Sequence, residues 1–335
     1  MNIGIVSTGI YLPEQRMTSE EIAEKAGLPL EVVEQKMGIK EKPIPGEDDH
    51  TVEMGVRAAN KAIEKAGIDP KEIDLVIYIG EEYKEYPVWT AGIKLQHEIG
   101  ATNAWAFDTA LRCGTTVMAL KLAKDMMLQD DSIETVLLAG GYRNGDLINY
   151  ENSSTRFMFN LAAGGGALVL KKGHAENRIL TSHLITDGAF SEDVIVPAGG
   201  TKQPISQEAA EVGLHFFDVP DPAGMKARLE EKSMVNFIQC IEKALEKSGY
   251  TKKDVDYVAI LHMKRSAHHY VLDQLGLSAE QSIYLEDYGH IGQIDQILSL
   301  ELAEAEGKLK DGSIVVLVSA GIGYAWGANV IKWGK

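Results

Sequence analysis

Cys113 lies in Phe107-Asp108-Thr109-Ala110-Leu111-Arg112-Cys113-Gly114-Thr115-Thr116, between a strand-like run and a stretch of helical periodicity over 117–127. A thiol at a helix start faces unpaired amides and the positive end of the helix dipole, and both favour the thiolate. That makes Cys113 a candidate nucleophile; the same residues also read as a small buried hydrophobe. Cys240, in Val235-Asn236-Phe237-Ile238-Gln239-Cys240-Ile241, has no polar company and reads as core. Among nine histidines, two are placed for chemistry. His262 ends the apolar run 257–261, where a ligand-facing loop begins, and His290 sits in a glycine-flanked turn that opens onto a helix over 294–305. His268 and His269 begin the helix after His262 and read as surface or supporting residues. His50, His97, His174, His183 and His215 stand isolated among solvent-type or core-type neighbours.

The elements that must position these groups are visible as a repeat. Residues 61–78 (KAIEKAGIDPKEIDLVIY) align with 243–260 (KALEKSGYTKKDVDYVAI), and 132–140 (SIETVLLAG) with 313–321 (SIVVLVSAG). The chain therefore reads as two copies of one unit, 1–172 and 173–335. Within each copy amphipathic helices alternate with continuously apolar strands, which predicts parallel sheets covered on both faces and a layered α/β/α/β/α body. In the alignment of the copies, the helix near His290 corresponds to the helix near Cys113, so the two helix starts can face one pocket. Ligands of such sheets gather beyond the carboxyl ends of the strands. The Pro- and Gly-rich segment 197–222 breaks the repeat and reads as an insertion that shapes a pocket or caps an edge.

Composition narrows the function classes. The 335 residues are 45% hydrophobic and 24% charged, a globular balance that excludes disorder and collagen-like structure. A net charge of −16 argues against a nucleic-acid partner. Two distant cysteines make no disulfide framework, and a reducing, cytoplasmic setting is expected. The opening Met1-Asn2-Ile3-Gly4-Ile5-Val6 reads as a buried strand, with no export signal expected. The uncharged stretch 313–331 approaches membrane-spanning length, but Gly321, Gly323 and Gly327 interrupt it, so two buried strands joined by a glycine turn are predicted, without membrane insertion. No CxxC, HxxH or HExxH pair suggests a metal, and Ala163-Gly164-Gly165-Gly166 lacks the phosphate-cradling patterns; close backbone packing is its expected role.

Taken in order, Gly4-Ile5-Val6-Ser7-Thr8-Gly9-Ile10-Tyr11-Leu12-Pro13, Gly38-Ile39-Lys40-Glu41, Ala106-Phe107-Asp108 and Gly323-Tyr324-Ala325-Trp326-Gly327-Ala328 resemble β-ketoacyl-acyl-carrier-protein synthase III and its relatives in the thiolase superfamily. The likeness runs nearly end to end. It implies a thiolase-like duplicated five-layer α/β/α/β/α fold, usually a homodimer, with an N-terminal half carrying the nucleophile and a C-terminal half carrying the two histidines. It implies that Cys113 takes an acyl group from an acyl-CoA or acyl-carrier-protein thioester, without cofactor or metal. His262 matches the histidine that donates to the carbonyl of a second, malonyl-type thioester (malonyl-CoA or malonyl-acyl carrier protein), stabilising the enolate as carbon dioxide leaves. The amides of Cys113 and Gly323 would form the oxyanion hole of the following Claisen step.

This chain also departs from the family pattern. Where synthase III enzymes carry Asn in a Gly-Asn-Thr-Ser motif it has Gly289-His290-Ile291-Gly292, a Cys-His-His trio similar to the elongating synthases. The family's HQAN has become His262-Met263-Lys264-Arg265, its adenine-sandwiching tryptophan aligns with Val32, and its GDGAGA has become Asn160-Leu161-Ala162-Ala163-Gly164-Gly165. A specialised condensing enzyme is thus the first reading, for fatty acid, polyketide or specialised metabolite synthesis. Two others stand beside it: an acyltransferase delivering to a hydroxyl or amine with His262 as general base, and a silent subunit of a synthase complex. Lys264 and Arg265 are candidates for docking an acidic acyl carrier protein or coenzyme A. Glu85, in Glu81-Glu82-Tyr83-Lys84-Glu85-Tyr86-Pro87, is the alternative base for a condensation without decarboxylation, in a run that otherwise reads as a solvated loop.

Overall fold

A computed structural model describes residues 1–335. The first half runs β1 (Ile3–Tyr11), β2 (Arg16–Thr18), α1 (Ser19–Ala26), β3 (Glu41–Pro43), α2 (Thr51–Ala66), β4 (Leu75–Tyr78), α3 (Ala91–Glu98), β5 (Trp105–Asp108), α4 (Thr115–Gln129), β6 (Thr135–Tyr142) and β7 (Gly164–Lys172). The second runs β8 (Arg178–Thr186), α5 (Gln207–Glu211), α6 (Pro222–Lys247), β9 (Tyr257–Ile260), α7 (Arg265–Leu275), α8 (Asp295–Ala305), β10 (Ile314–Gly321) and β11 (Ala325–Lys332). Strand order is β5-β4-β6-β7-β1 in the first set and β8-β11-β10-β9 in the second. One residue pair, Gly4 with Arg178, joins the two sets into a continuous nine-stranded sheet.

Layering follows from which helix faces are apolar. α2 and α3 cover the outer face of the first set, and α6 and α7 the outer face of the second. α4 and α8 lie between the two sets, each touching strands of both, and the largest apolar cluster surrounds them. The first half of α8 is buried on every side, polar and apolar residues alike, which is why the helix has little amphipathic pattern. These are the five layers expected.

The expectation of parallel sheets needs correction. β4 is parallel to β5 and β6, and β10 to β9, but β6–β7, β7–β1, β10–β11 and β11–β8 are antiparallel. Continuous apolar runs report burial on both faces, whatever the strand direction. The 313–331 stretch is the predicted pair of buried strands, joined through Ile322–Tyr324, and no helix is long and apolar enough to cross a membrane. In the 197–222 segment Phe217 and Val219 are buried, and the Phe217 N–H donates to the Leu147 carbonyl, so the insertion caps the 144–158 connection.

Glycines mark where backbones meet. A Cβ on Gly165 would lie 2.1 Å from the Met54 carbonyl oxygen, and one on Gly166 would lie 2.8 Å from Ile294 Cγ2, the close packing expected of the 164–166 run. At Gly140 a Cβ would lie 2.1 Å from the backbone nitrogen of Gly80. Gly140→Ala should therefore cost about 3 kcal/mol or prevent folding. Gly188→Ala, with open space around it, should stay within about 0.5 kcal/mol of wild type. Urea unfolding of the two variants checks the contrast.

Candidate active site

The two buried helices begin side by side, and Thr116 Oγ1 at the start of α4 donates to the Gln293 carbonyl just before α8 (2.7 Å). Cys113 sits in the short 3-10 turn Arg112–Gly114 that feeds α4. The Leu111 N–H donates to Thr115 Oγ1 (2.8 Å), and that hydroxyl donates to the Arg112 carbonyl (2.7 Å). Arg112 takes φ 51°, a left-handed conformation that a non-glycine residue adopts at some cost. The turn presents the thiol half-buried, beside an apolar cluster containing Phe190 and Trp326.

His290 comes to the thiol from the opposite helix start. Its Nε2 lies 3.1 Å from Cys113 Sγ and its Nδ1 lies 2.5 Å from Asp295 Oδ2. Asp295, fully buried in the first turn of α8, also accepts the Ile291 N–H on Oδ1 (2.7 Å) and the His262 N–H on Oδ2 (2.7 Å). Burial opposes a charge on His290, but the Asp295 carboxylate and the Cys113 sulfur outweigh it and hold the ring's pKa well above the ordinary imidazole value.

His262, buried at the end of β9, contacts protein at both ring nitrogens. Its Nδ1 lies 2.8 Å from Asn160 Nδ2 and its Nε2 lies 3.0 Å from the Gly38 carbonyl. The amide donates to Nδ1, so Nε2 carries the proton and gives it to Gly38. Burial pushes this ring down to about 4, and it is neutral. The sequence predicts a ring free to donate to a thioester or to act as general base; here both nitrogens are committed to protein partners. The strand-end position was legible, but the partners come from 38 and 160, far away in sequence.

The remaining expected groups fall as follows. Gly321, the last residue of β10, lies against the Cys113 amide, with its Cβ position 3.0 Å from that nitrogen, whereas Gly323 in the connection packs against the Phe190 carbonyl. Arg265 is paired with Glu286 (2.5 Å) and lies over the Tyr284 ring, leaving Lys264 as the exposed member of the docking pair. The run around Glu85 is the largely exposed loop expected, but Glu85 itself is half-buried in it: its Oε1 accepts the Val52 N–H (2.7 Å) and caps the first turn of α2. That duty explains it without a role as base. Cys240 is buried, and burial pushes its thiol up to about 12. His268 is buried edge-on against Tyr284, which itself packs on His262, while His269 is exposed.

Asp295 and Asn160 are the residues sequence reasoning missed. The signal for Asp295 was an acid, with Gln293, Gln296 and Ser299 nearby, inside an otherwise apolar helix start. Lys42 was also unforeseen. Its buried ammonium, pulled down to about 7 by desolvation, donates to Tyr150 Oη (2.9 Å) and to the Phe159 and Leu161 carbonyls (2.7 Å each). This clamps the 159–162 strip that carries Asn160 and exchanges backbone hydrogen bonds with His290.

Comparison with known proteins agrees with this architecture. The family described as 3-oxoacyl-[acyl-carrier-protein (ACP)] synthase III matches residues 107–188, and its C-terminal counterpart matches 245–333. Curated β-ketoacyl-[acyl-carrier-protein] synthase III proteins are similar along their whole length. That of Clostridioides difficile is 29% identical over 98% of each chain, and that of Syntrophomonas wolfei 28% identical over 100% of this chain and 98% of its own. The crystal structure of 3-oxoacyl-(acyl carrier protein) synthase III from Pseudomonas aeruginosa superposes with a TM-score of 0.84 at 21% identity, covering 100% of this chain and 99% of the other. Fold and relatives together define an acyl-transferring condensing enzyme of the thiolase-like class. Within that class the chain belongs to the β-ketoacyl-[acyl-carrier-protein] synthase III family.

His268 gives a test of burial independent of catalysis. Desolvation, with the neighbouring rings of His269 and His262, lowers it to about 4. Its neutral form is thus the native one: the stabilisation is complete above the unfolded value near 6.5 and is lost as pH falls towards 4. It amounts to about 3 kcal/mol at most. His268→Leu should flatten the fall in unfolding free energy between pH 6.5 and 4, measured by urea titration.

Proposed function

We propose that Cys113 takes an acyl group from an acyl-CoA or acyl-carrier-protein thioester and that the acyl-enzyme then condenses with a malonyl-type thioester. The observation that carries this reading is the contact of Cys113 Sγ with His290 Nε2 at 3.1 Å, at the start of a buried helix. In the first half the sulfur attacks the thioester carbonyl, and the donor leaves as a thiol with the proton from Nε2. His290, kept basic by Asp295, takes a proton from solvent and turns Nε2–H towards the second substrate. As carbon dioxide departs, the electron pair of the broken carbon–carbon bond enters the enolate, whose oxygen accepts from Nε2–H. The α-carbon attacks the acyl carbonyl, and the tetrahedral intermediate, its oxygen held by backbone amides near Cys113 and the 321–323 loop, expels the Cys113 thiolate. The carbon, oxygen and sulfur atoms of the products come from the two thioesters and one proton is taken from solvent, so this reading requires no cofactor or metal.

A second reading is favoured by His262. With both of its nitrogens occupied, the site has one imidazole donor for an enolate oxygen where two were expected. If His290 instead stays neutral after acylation, its proton is on Nδ1 towards Asp295 and Nε2 is a base. A hydroxyl or amine would then take the acyl group, with His290 and not His262 removing the proton.

We place this enzyme in the cytoplasm as a homodimer. The edge strand β5 exposes Trp105, and the loop and helix before it expose Tyr86, Val88 and Ile93, an apolar edge that a second copy would cover. Sedimentation at micromolar concentration should give twice the chain mass.

Intact-mass measurement after incubation with a panel of acyl-CoA thioesters should show one acyl addition on wild type and none on Cys113→Ala. Malonyl-CoA or malonyl-carrier protein added to the acyl-enzyme should then release one carbon dioxide per β-keto product. An ester or amide without carbon dioxide selects the second reading. No acylation from any coenzyme A or carrier-protein donor overturns both in favour of the silent subunit.

A further inference from the structure

The buried groups around the thiol are more ordered than a nucleophile with one neighbouring base requires. We propose that Asp295 is a positioning residue that keeps His290 protonated and thereby holds Cys113 as the thiolate of an imidazolium–thiolate pair in the resting enzyme. The proposal rests on the reading of Cys113 as the acyl-accepting nucleophile and adds how that nucleophile is generated.

The hydrogen-bond inventory fixes the first proton. Two backbone N–H groups, of Ile291 and His262, point at the Asp295 carboxyl, which is wholly buried. A carboxyl that receives two amide donors is held as the acceptor-only carboxylate. Its contact with His290 at 2.5 Å then requires Nδ1 to be the donor. Tautomer ambiguity is removed, and Nε2 alone faces Cys113.

The second proton follows from the arrangement of charge. Asp295 occupies the first turn of α8 and Cys113 the turn that opens α4, so both sit at the positive ends of buried helices. A negative charge at each helix start with a positive ring between them is an alternating row, each neighbour within about 3 Å. The other groups facing the ring do not compete for the role. His262 is neutral, with both nitrogens committed. Tyr142, whose ring centroid lies 6.2 Å from that of His290, is buried and held un-ionised. The Lys42 ammonium is spent on Tyr150, Phe159 and Leu161.

Acyl transfer then balances as follows. The Cys113 thiolate pair forms the new carbon–sulfur bond, the donor's carbon–sulfur bond breaks, and the departing thiolate takes the Nε2 proton and leaves as a thiol. His290 remains neutral with Nδ1–H on Asp295.

Alkylation by iodoacetamide, followed by the mass of the Cys113 peptide, reads the thiolate without any acyl substrate; buried Cys240 serves as a slow internal reference. Wild type should alkylate at a nearly constant rate from pH 6 to 9. Asp295→Asn and Asp295→Ala should be at least about tenfold slower at pH 6.5 and climb with pH, as an unpaired thiol, only about 1% ionised there, does. Asp295→Glu, which retains a carboxylate, should recover part of the low-pH rate. A wild-type rate that itself climbs about tenfold per pH unit up to pH 8, or an Asp295→Asn profile superimposable on wild type, overturns the proposal. Should the variants fail to fold, the wild-type profile decides alone. A flat wild-type profile combined with no acylation by any thioester would remove the proposed function and leave this inference standing.

Discussion

The buried carboxylate of Asp295 ties together the pieces on which the site depends. It holds the amide of His262 after β9, the amide of Ile291 ahead of α8 and the ring that touches the Cys113 thiol. Placing an anion there without solvent is tolerable because both oxygens accept, three donors in all, and the helix start supplies positive potential. The geometry of Cys113, His262 and His290 is thereby set by one group, and that group is held by the layered fold. α8 can present Asp295 only because both of its flanks are covered by sheets, which fixes its rotation and depth.

This explains why so much of the fold was legible and where legibility ended. The duplicated stretches 61–78 and 243–260 specify a helix, a glycine stop and a buried strand twice, because Gly67 and Gly249 both take the left-handed conformation that ends a helix. Strand direction was not in that pattern. A strand buried on both faces is apolar throughout whether its neighbours run with it or against it, and only the short connection of β10 to β11 forced an antiparallel answer. The glycine run 164–166 packs closely, as expected, against Tyr11, Leu12, Met54, Gly55, Ile291, Ile294 and Ile297.

The candidate site divides along the same line. The meeting of Cys113 with His290 was legible because helix starts can be read locally and the repeat pairs the two starts. The contacts of His262 were not, since what a ring nitrogen touches is decided by the atom opposite it. Those atoms, the Gly38 carbonyl and the Asn160 amide, come from segments that only tertiary structure brings near. Glu85 is the same case: an acid in an exposed loop can be an alternative base or plain solvated charge by sequence, and only the structure shows its carboxylate on the amide of Val52. Asp295 was hidden because an acid at a helix start is ordinary on a surface, and nothing in the sequence states that this helix start is buried.

The choice between carbon–carbon bond formation and transfer to a hydroxyl or amine reduces to one proton. After acylation His290 is left with Nδ1–H against Asp295 and a bare Nε2, which is the state of a general base. Asp295 raises the affinity of Nε2 for a further proton, but the sulfur that shared the stabilisation of that proton is now an uncharged thioester. If the carboxylate alone suffices, the ring is again cationic and donates to an enolate oxygen. If it does not, the ring accepts a proton from an incoming nucleophile. A malonyl-type thioester tilts this balance itself, because its carboxylate brings a negative charge into the same buried space and favours a protonated ring until carbon dioxide has left. A neutral alcohol or amine offers no such help. On the proposed mechanism Cys113, His290 and Asp295 therefore suit either acceptor, and the charge the second substrate carries would determine which chemistry His290 performs.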